Sequence, residues 1–493
     1  MDRSQTAGGA RSHRLLGDPV LLALLALGAA LRVAFACRKG WVLDEFHTDY
    51  HAQRATLELL FQGLLQDNHP PLSFLLVRVA GAVLGTSDLA LRAPALLCGA
   101  LEPLLAAALA RPFGRRASRF AAALVVTSSL HLDFASQVRM YAPFSLAVTA
   151  ATLGLRRRLR GAGGAWLLGL GAWCAVHLHY HAAWFLAALT LAGLAGAARQ
   201  PSPGRCACRI LIPLLLAASA SLPWVLLGLL PQLRHGLPPG GDDLGLPALG
   251  EAVLHLLALN IRLGGPAGRA VFALAALCVV LVAAAGLLLR LRARGPARDS
   301  GLREEALLLA AMGFLPPLLA FVAARLHPRA GFTWHYLLPA LPAVAALAGS
   351  LADRRSVRLL LTSAATALFV LCGLNLAGRG TEDFRGAAEW IRGEAQPGDA
   401  VVCVEYQPPV FPTGRPWDRY GAGPGAPPRL ATTGIHLDDP AGRLEHPRLW
   451  LMSSALPRSV DLVQQLEASH TRVQSRSFGW RPVVELWVRR EGR

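Results

Sequence analysis

The stretch PVLLALLALGAALRVAFACRKGWVLDEFHTDYHAQ, residues 19–53, decides how the chain is read. Its first half is an apolar run close to the ~20 residues a helix needs to cross a bilayer. Its second half gathers Asp44, Glu45, His47, Asp49 and His51 in short succession. So many ionisable groups where a span ends predict a capped helix end or a site at the membrane surface.

The rest of the chain extends this pattern. Of 493 residues, 53% are hydrophobic and only 16% charged, against ~25% charged in an ordinary soluble chain. Apolar blocks of roughly 15 to 22 residues recur along the sequence, which predicts a polytopic membrane protein. The formal charge of +18 does not point to nucleic acid. Lys39 is the only lysine, and the arginines cluster in short loops between apolar blocks, as the positive-inside rule would place them. The eight cysteines show no zinc spacing. Residues 11–36 have the basic start and apolar core of a signal peptide, but the length of the apolar part and the spans that follow favour a retained first helix.

The arginine clusters set the topology. They lie at Arg11–Arg14, 111–119, 156–160, 199–209, 290–303 and 353–358. If all are cytoplasmic, an even number of spans separates each from the next. Between Arg14 and Arg111 there are three apolar blocks, at 19–37, 71–84 and 93–110, so one does not cross. The block at 71–84 is about 21 Å long as a helix, short of the ~30 Å core. It also carries Arg78, and is read as an interfacial helix. Leu57, Leu60, Phe61, Leu64 and Leu65 mark a second one, within a long outside loop at 38–91. The remaining spans fall near 119–132, 143–155, 165–178, 182–198, 210–230, 268–289, 305–324, 336–350 and 357–376, making about eleven. Residues 377–493 read as a small soluble α/β domain on the outer side. The signals are a helix through EDFRGAAEWIRGEAQ, strands at AVVCVEY, RLWLMSS and VVELWVRR, and a helix at SVDLVQQLEASH.

Polar residues collect on the same side. The loop from Asp44 to Asp67 runs into DNHPPLSF, Arg92 opens the next span, and SQVRMYAP carries Arg139 and Tyr141. RLHPRAGFTWHYLLPALP carries Arg325, Arg329, His335 and Tyr336. Arginines outside run against the topological trend. A bound phosphate would explain them, since guanidinium grips it in a fork; anionic lipid headgroups are the plainer account. An acid facing such a pocket suits group transfer from a lipid phosphate, with the carboxylate taking a hydroxyl proton. The plainer role for Asp44 is a helix cap. The run His177, His179 and His181 suggests either a metal site or an interfacial polar anchor.

LDEFHTD, then DNHPPLSFLLVRVAGAVLGTSDLALRAPALLCGAL, then SQVRMYAP, then HYLLPALPAVAAL, resemble family 39-type glycosyltransferases. These are the bacterial relatives of dolichyl-phosphate-mannose–protein mannosyltransferases. The resemblance spans most of residues 15–380. It implies the all-α GT-C membrane bundle and inverting transfer of a sugar such as mannose. The sugar would pass from a polyprenyl-phosphate carrier to a protein, lipid or glycan hydroxyl outside the plasma (inner) membrane. It implies no cofactor and no metal. By position, Asp44 resembles the general base and Glu45 its partner at the acceptor site. Asp67 and His69 resemble the loop motif beneath the site, Arg92 the arginine opening the second span, and Arg139 and Tyr141 the pair beside the carrier phosphate. His335–Tyr336 stands where many relatives have Arg-Tyr, which makes Arg325 or Arg329 the candidate for the missing charge. A transporter or flippase would instead carry charges within its spans and often internal repeats, and a scaffold presenting the tail would need no acidic pair.

Overall fold

The computed structural model describes residues 15–235, 266–292, 297–326, 332–377, 382–404, 414–430, 432–433, 436–437, 446–454, 460–479 and 482–490. Helix α1, Pro19–Arg38, begins with Asp18 as its cap and Pro19 in its first turn. Two short helices follow, α2 at Leu43–Ala52 and α3 at Leu57–Leu65, and then α4 at Leu72–Leu84. The bundle continues with α5 (Asp88–Ala110), α6 (Arg115–Thr127), α7 (Ser129–Ala135), α8 (Tyr141–Leu159), α9 (Ala165–Leu178) and α10 (Ala182–Ala197). Helix α11, Pro203–Trp224, runs on through a π-helical turn, Val225–Leu229, to His235. Then come α12 (Pro266–Arg292), α13 (Ala297–Leu326), a 3-10 turn (Trp334–Ala340), α14 (Leu341–Gly349) and α15 (Arg355–Ala377).

Among the described residues five helices are long and apolar enough to cross a membrane, at Pro19–Arg38, Asp88–Phe113, Pro203–Arg234, Leu274–Arg292 and Gly301–Leu326. This is a multi-pass membrane protein. Two of the expected spans have a different interior. The block at 119–132 is broken at Ser128, whose hydroxyl accepts from the His131 amide and starts α7 afresh. The block at 336–350 opens as a 3-10 turn because Pro339 cannot donate to an α-helical ladder.

The arginine-rich loops meet at one end of the bundle. Arg115 and Arg119 both hold Asp18, Arg116 reaches Asp353, and Arg160 pairs with Glu305 at 2.6 Å. The opposite end carries α2, α3 and α4. Helix α4 has both its ends there. His69, just before it, touches Arg139, while Thr86, just after it, accepts from Arg419 of the tail. It therefore does not run to the arginine-rich end, as its length required. A Cβ on Gly99 would lie 2.4 Å from that of Ala135, so α5 and α7 approach this closely only because residue 99 is glycine.

The tail has a five-stranded sheet. With β1 at Ala400–Val404, β2 at Arg429–Leu430, β3 at Arg448–Ser453, β4 at His470–Ser477 and β5 at Val483–Arg489, the order is β2-β1-β3-β5-β4. β1 is parallel to β2 and β3, and β5 is antiparallel to β3 and β4. β1 is buried along its whole length, which is why it reads as an unbroken apolar run. Helices α16 (Phe384–Glu394), α17 (Arg415–Tyr420) and α18 (Val460–Ser469) complete it.

The tail does not stand apart from the bundle. Trp41, Leu43 and Phe46 share one apolar core with Phe384, Trp417, Trp450 and Val484. Phe46 meets Phe384 edge-on at 5.6 Å, and the Arg419 guanidinium lies 3.5 Å over the Trp41 ring. Asp88 binds Arg385, Arg419 and the Tyr420 hydroxyl, and Glu382 accepts from the Leu43 amide at 2.7 Å. The α2 segment is thus clamped between bundle and tail.

Candidate active site

Asp44 is the second residue of α2, not its cap. The cap position is Val42, whose amide is taken by the Glu45 carboxylate at 2.9 Å, the reach-back half of a capping box. This frees the Asp44 carboxylate to point outward. Its side chain is 59% exposed, whereas that of its partner Arg139 is 4% exposed at 3.6 Å. Burial works against the Asp44 charge, yet the opposing charges around it, Arg139 foremost, outweigh that and hold the carboxyl below its ordinary range. Asp44 is ionised at neutral pH.

Arg139 is fixed from several sides. It donates to the Asp44 carbonyl at 3.3 Å, the Thr48 hydroxyl at 3.2 Å and the Tyr141 hydroxyl at 3.4 Å. Its Nη2 lies 3.2 Å from His69 Nε2. Since arginine only donates, Nε2 is the acceptor, and His69 Nδ1 carries the proton toward Asp67, 3.2 Å from both carboxylate oxygens. The expected pairs Asp67–His69 and Arg139–Tyr141 are therefore one connected unit around Asp44. The Nε of Arg139 is buried and has no hydrogen-bond partner.

His335 and Tyr336 join the same site across the bundle. His335 stacks on Phe134 at 5.2 Å and meets Tyr141 edge-on at 5.0 Å, and Tyr336 lies parallel to Tyr141 at 6.2 Å. His179 and His181 pack against Tyr336, each at 4.5 Å. His177 turns away toward the Trp173 carbonyl, so of the histidine run it is His179 and His181 that line this aromatic wall. Arg325 sits at the exposed end of α13. Arg329 lies outside the described residues.

Two expected site residues have other work. Glu45 and Arg92 are fully buried and bound to each other, at 2.9 and 3.0 Å. Glu45 also accepts from the Val138 amide at 2.8 Å. Arg92 spends its remaining donors on the carbonyls of Ala36, Lys39 and Gly40, at the end of α1. No donor remains for a phosphate, nor does Glu45 face an acceptor; the pair braces the α1–α2 corner that presents Asp44.

Charge also lies within the bundle, against the expectation that it is confined to loops. Arg32, His131 and Glu102 form a buried chain, with Arg32 Nη2 to His131 Nδ1 at 2.7 Å and His131 Nε2 to Glu102 at 3.5 Å. Ser145 and Thr149 donate to Glu102. Lys39 and Asp133 pair nearer the site, at 2.5 Å. Sequence offered no periodic signal for these contacts, which join residues far apart in the chain. Sequence did not bring His47 and His51 forward as a pair, although their spacing of four places both on one helical face.

Residues 68–224 match the family described as Dolichyl-phosphate-mannose-protein mannosyltransferase. The crystal structure of ArnT from Cupriavidus metallidurans in the apo state is similar with a TM-score of 0.58 at 13% sequence identity, covering 94% of this chain and 97% of that one. The chain has the GT-C fold. The arabinofuranosyltransferase AftD from Mycobacteria (mutant R1389S, class 2) is similar to the GT-C bundle with its tail at a TM-score of 0.51 and 16% identity. There the match covers 95% of this chain but 41% of that one. No curated protein matches the chain in sequence.

Proposed function

We propose that the chain is a membrane glycosyltransferase that moves a sugar, mannose or a similar one, from a polyprenyl-phosphate carrier to an acceptor hydroxyl. The observation that carries this reading is the pairing of an open, ionised carboxylate on Asp44 with a buried, immobilised Arg139 that keeps one donor unused. The carboxylate takes the acceptor proton as the hydroxyl oxygen attacks the anomeric carbon. The bond from that carbon to the phosphate oxygen breaks on the opposite side, inverting the centre, and the polyprenyl phosphate leaves against Arg139, His335 and Tyr336. The family description names a lipid-phosphate sugar, which fits a cation placed at the membrane end of a helical bundle.

In this reading the arginine-rich end faces the cytoplasm, and Asp44 and the tail face outward across the plasma membrane. The acceptor is a protein, lipid or glycan hydroxyl, and the transfer step asks for no cofactor. A transporter reading would draw on the buried Arg32–His131–Glu102 chain, yet Ser145 and Thr149 fill the free side of Glu102 and make it a brace between helices.

The test is transfer from radiolabelled polyprenyl-phosphate mannose by the purified protein. Asp44→Asn keeps size and loses basicity, and is expected to slow transfer by ~10²–10⁴-fold while leaving donor binding in place. Near wild-type transfer by folded Asp44→Asn would falsify the assignment.

A further inference from the structure

We propose that His47, His51 and Asp67 hold a divalent transition-metal ion beside the Asp44–Arg139 pair. Among the described residues this is the one group whose ligand atoms gather this closely, all within 4.8 Å of one another. His47 and His51 are four residues apart on α2, so their rings project from one face, with centroids 4.7 Å apart. Asp67 enters from the segment before α4. His47 Nε2 lies 3.6 Å from Asp67 Oδ1, near the ~3.4 Å edge of a tetrahedral site with bonds of ~2.0–2.1 Å.

The independent sign of a ligand is His51. Its side chain is fully buried, and neither ring nitrogen has a hydrogen-bond partner. Buried polar atoms are normally satisfied, so a buried ring with both nitrogens unpaired calls for a partner, and a bound ion would supply one. The neighbouring chain makes room for it. A Cβ on Gly63 would come within 2.8 Å of His51 Nδ1.

The donor set names the metal class. Two imidazoles and one carboxylate suit zinc, nickel, cobalt or ferrous iron, rather than magnesium or calcium, which take oxygen ligands. Asp67 is also the partner of His69, so an ion here would tie α2 to the segment before α4 and, through His69, set Arg139. This is a positioning role and puts no metal on reacting atoms. It stands independently of the transferase reading.

The experiment uses the full chain in detergent, stripped with a chelator and dialysed against Zn²⁺. Metal per chain is read by mass spectrometry, and Co²⁺ loading by visible absorption. The expected result is about one Zn²⁺ per chain, at least about tenfold weaker in His47→Ala, His51→Leu and Asp67→Asn, and unchanged in His181→Ala. Co²⁺ is expected to give the intense visible bands of a four-coordinate site. Wild-type protein that retains no more Zn²⁺ than the His47→Ala/His51→Leu double variant overturns the proposal. If the variants do not fold, Co²⁺ bands on wild-type protein no stronger than those of the aqueous ion overturn it instead.

Discussion

Arg92 grips Glu45 with two nitrogens, at 2.9 and 3.0 Å, where neither side chain reaches solvent. The pair closes the corner between α1 and α2, because the same guanidinium also takes three carbonyls at the end of α1. Removing one partner leaves the other charge buried alone. Glu45→Gln is expected to destabilise the protein by about 3–5 kcal/mol. Arg92→Lys should fail as well, because an ammonium cannot reproduce the fork. Thermal melts in detergent measure both, and an unchanged melting temperature in Glu45→Gln would remove the brace from this account.

Asp44 sets the acid limb of the reaction. Its carboxyl is held below the ordinary value of 3.8, so the base form persists to lower pH than usual. The sign follows: kcat/KM should stay level from neutral pH down to about pH 5, with loss only below that. Arg139→Met removes the largest favourable charge and should move the limb upward. A wild-type limb near pH 6 would show that another group is the base.

Arg139 makes its contacts as a planar fork, reaching Asp44, Thr48, His69 and Tyr141 together. Lysine offers one point charge. Arg139→Lys is expected to lower turnover by about 10²-fold, the range seen when one donor to a developing anion is lost. Binding of the lipid-phosphate donor should weaken less than turnover. Equal loss in both would assign Arg139 to ground-state binding.

The position of α4 can be read chemically. Gln62 and Thr86 flank it and are both exposed. Cysteines introduced there, in a background with the exposed Cys37 and Cys208 replaced by serine, should label from the same side of sealed membranes. Labelling from opposite sides would make α4 a span and shift the count of about eleven.

The tail anchors the site. Asp88 holds Arg385, Arg419 and Tyr420. Asp88→Ala should loosen the tail, seen as faster proteolysis after Ala377 and a lower melting temperature. Unchanged proteolysis would mean that the apolar contacts of Trp41 and Phe46 suffice.

The sequence by itself determined the bundle, because hydrophobic runs near the bilayer thickness and arginine clusters between them act locally, each through its own transfer free energy. In the tail it set helices α16 and α18 and the buried strands β1, β3 and β5 through their apolar runs and turn residues, but not the short α17 or β2. It did not show β4, whose residues HTRVQSRS lie on an edge and carry no apolar alternation. It brought Asp44, Asp67, His69, Arg139, Tyr141, His335 and Tyr336 forward as chemistry-bearing residues, but could not separate them from Glu45 and Arg92. Exposure decides that for the two acids and unspent donors for the two arginines, and both come only from packing. Asp44 and Glu45 are neighbours in the chain, yet the helix turns one outward to solvent and the other inward onto Arg92, so adjacent carboxylates have opposite work. The same holds for His51. Its burial without a partner is a property of the ring's surroundings, supplied by Gly63, Phe74 and Asp67 only after α2, α3 and α4 have packed.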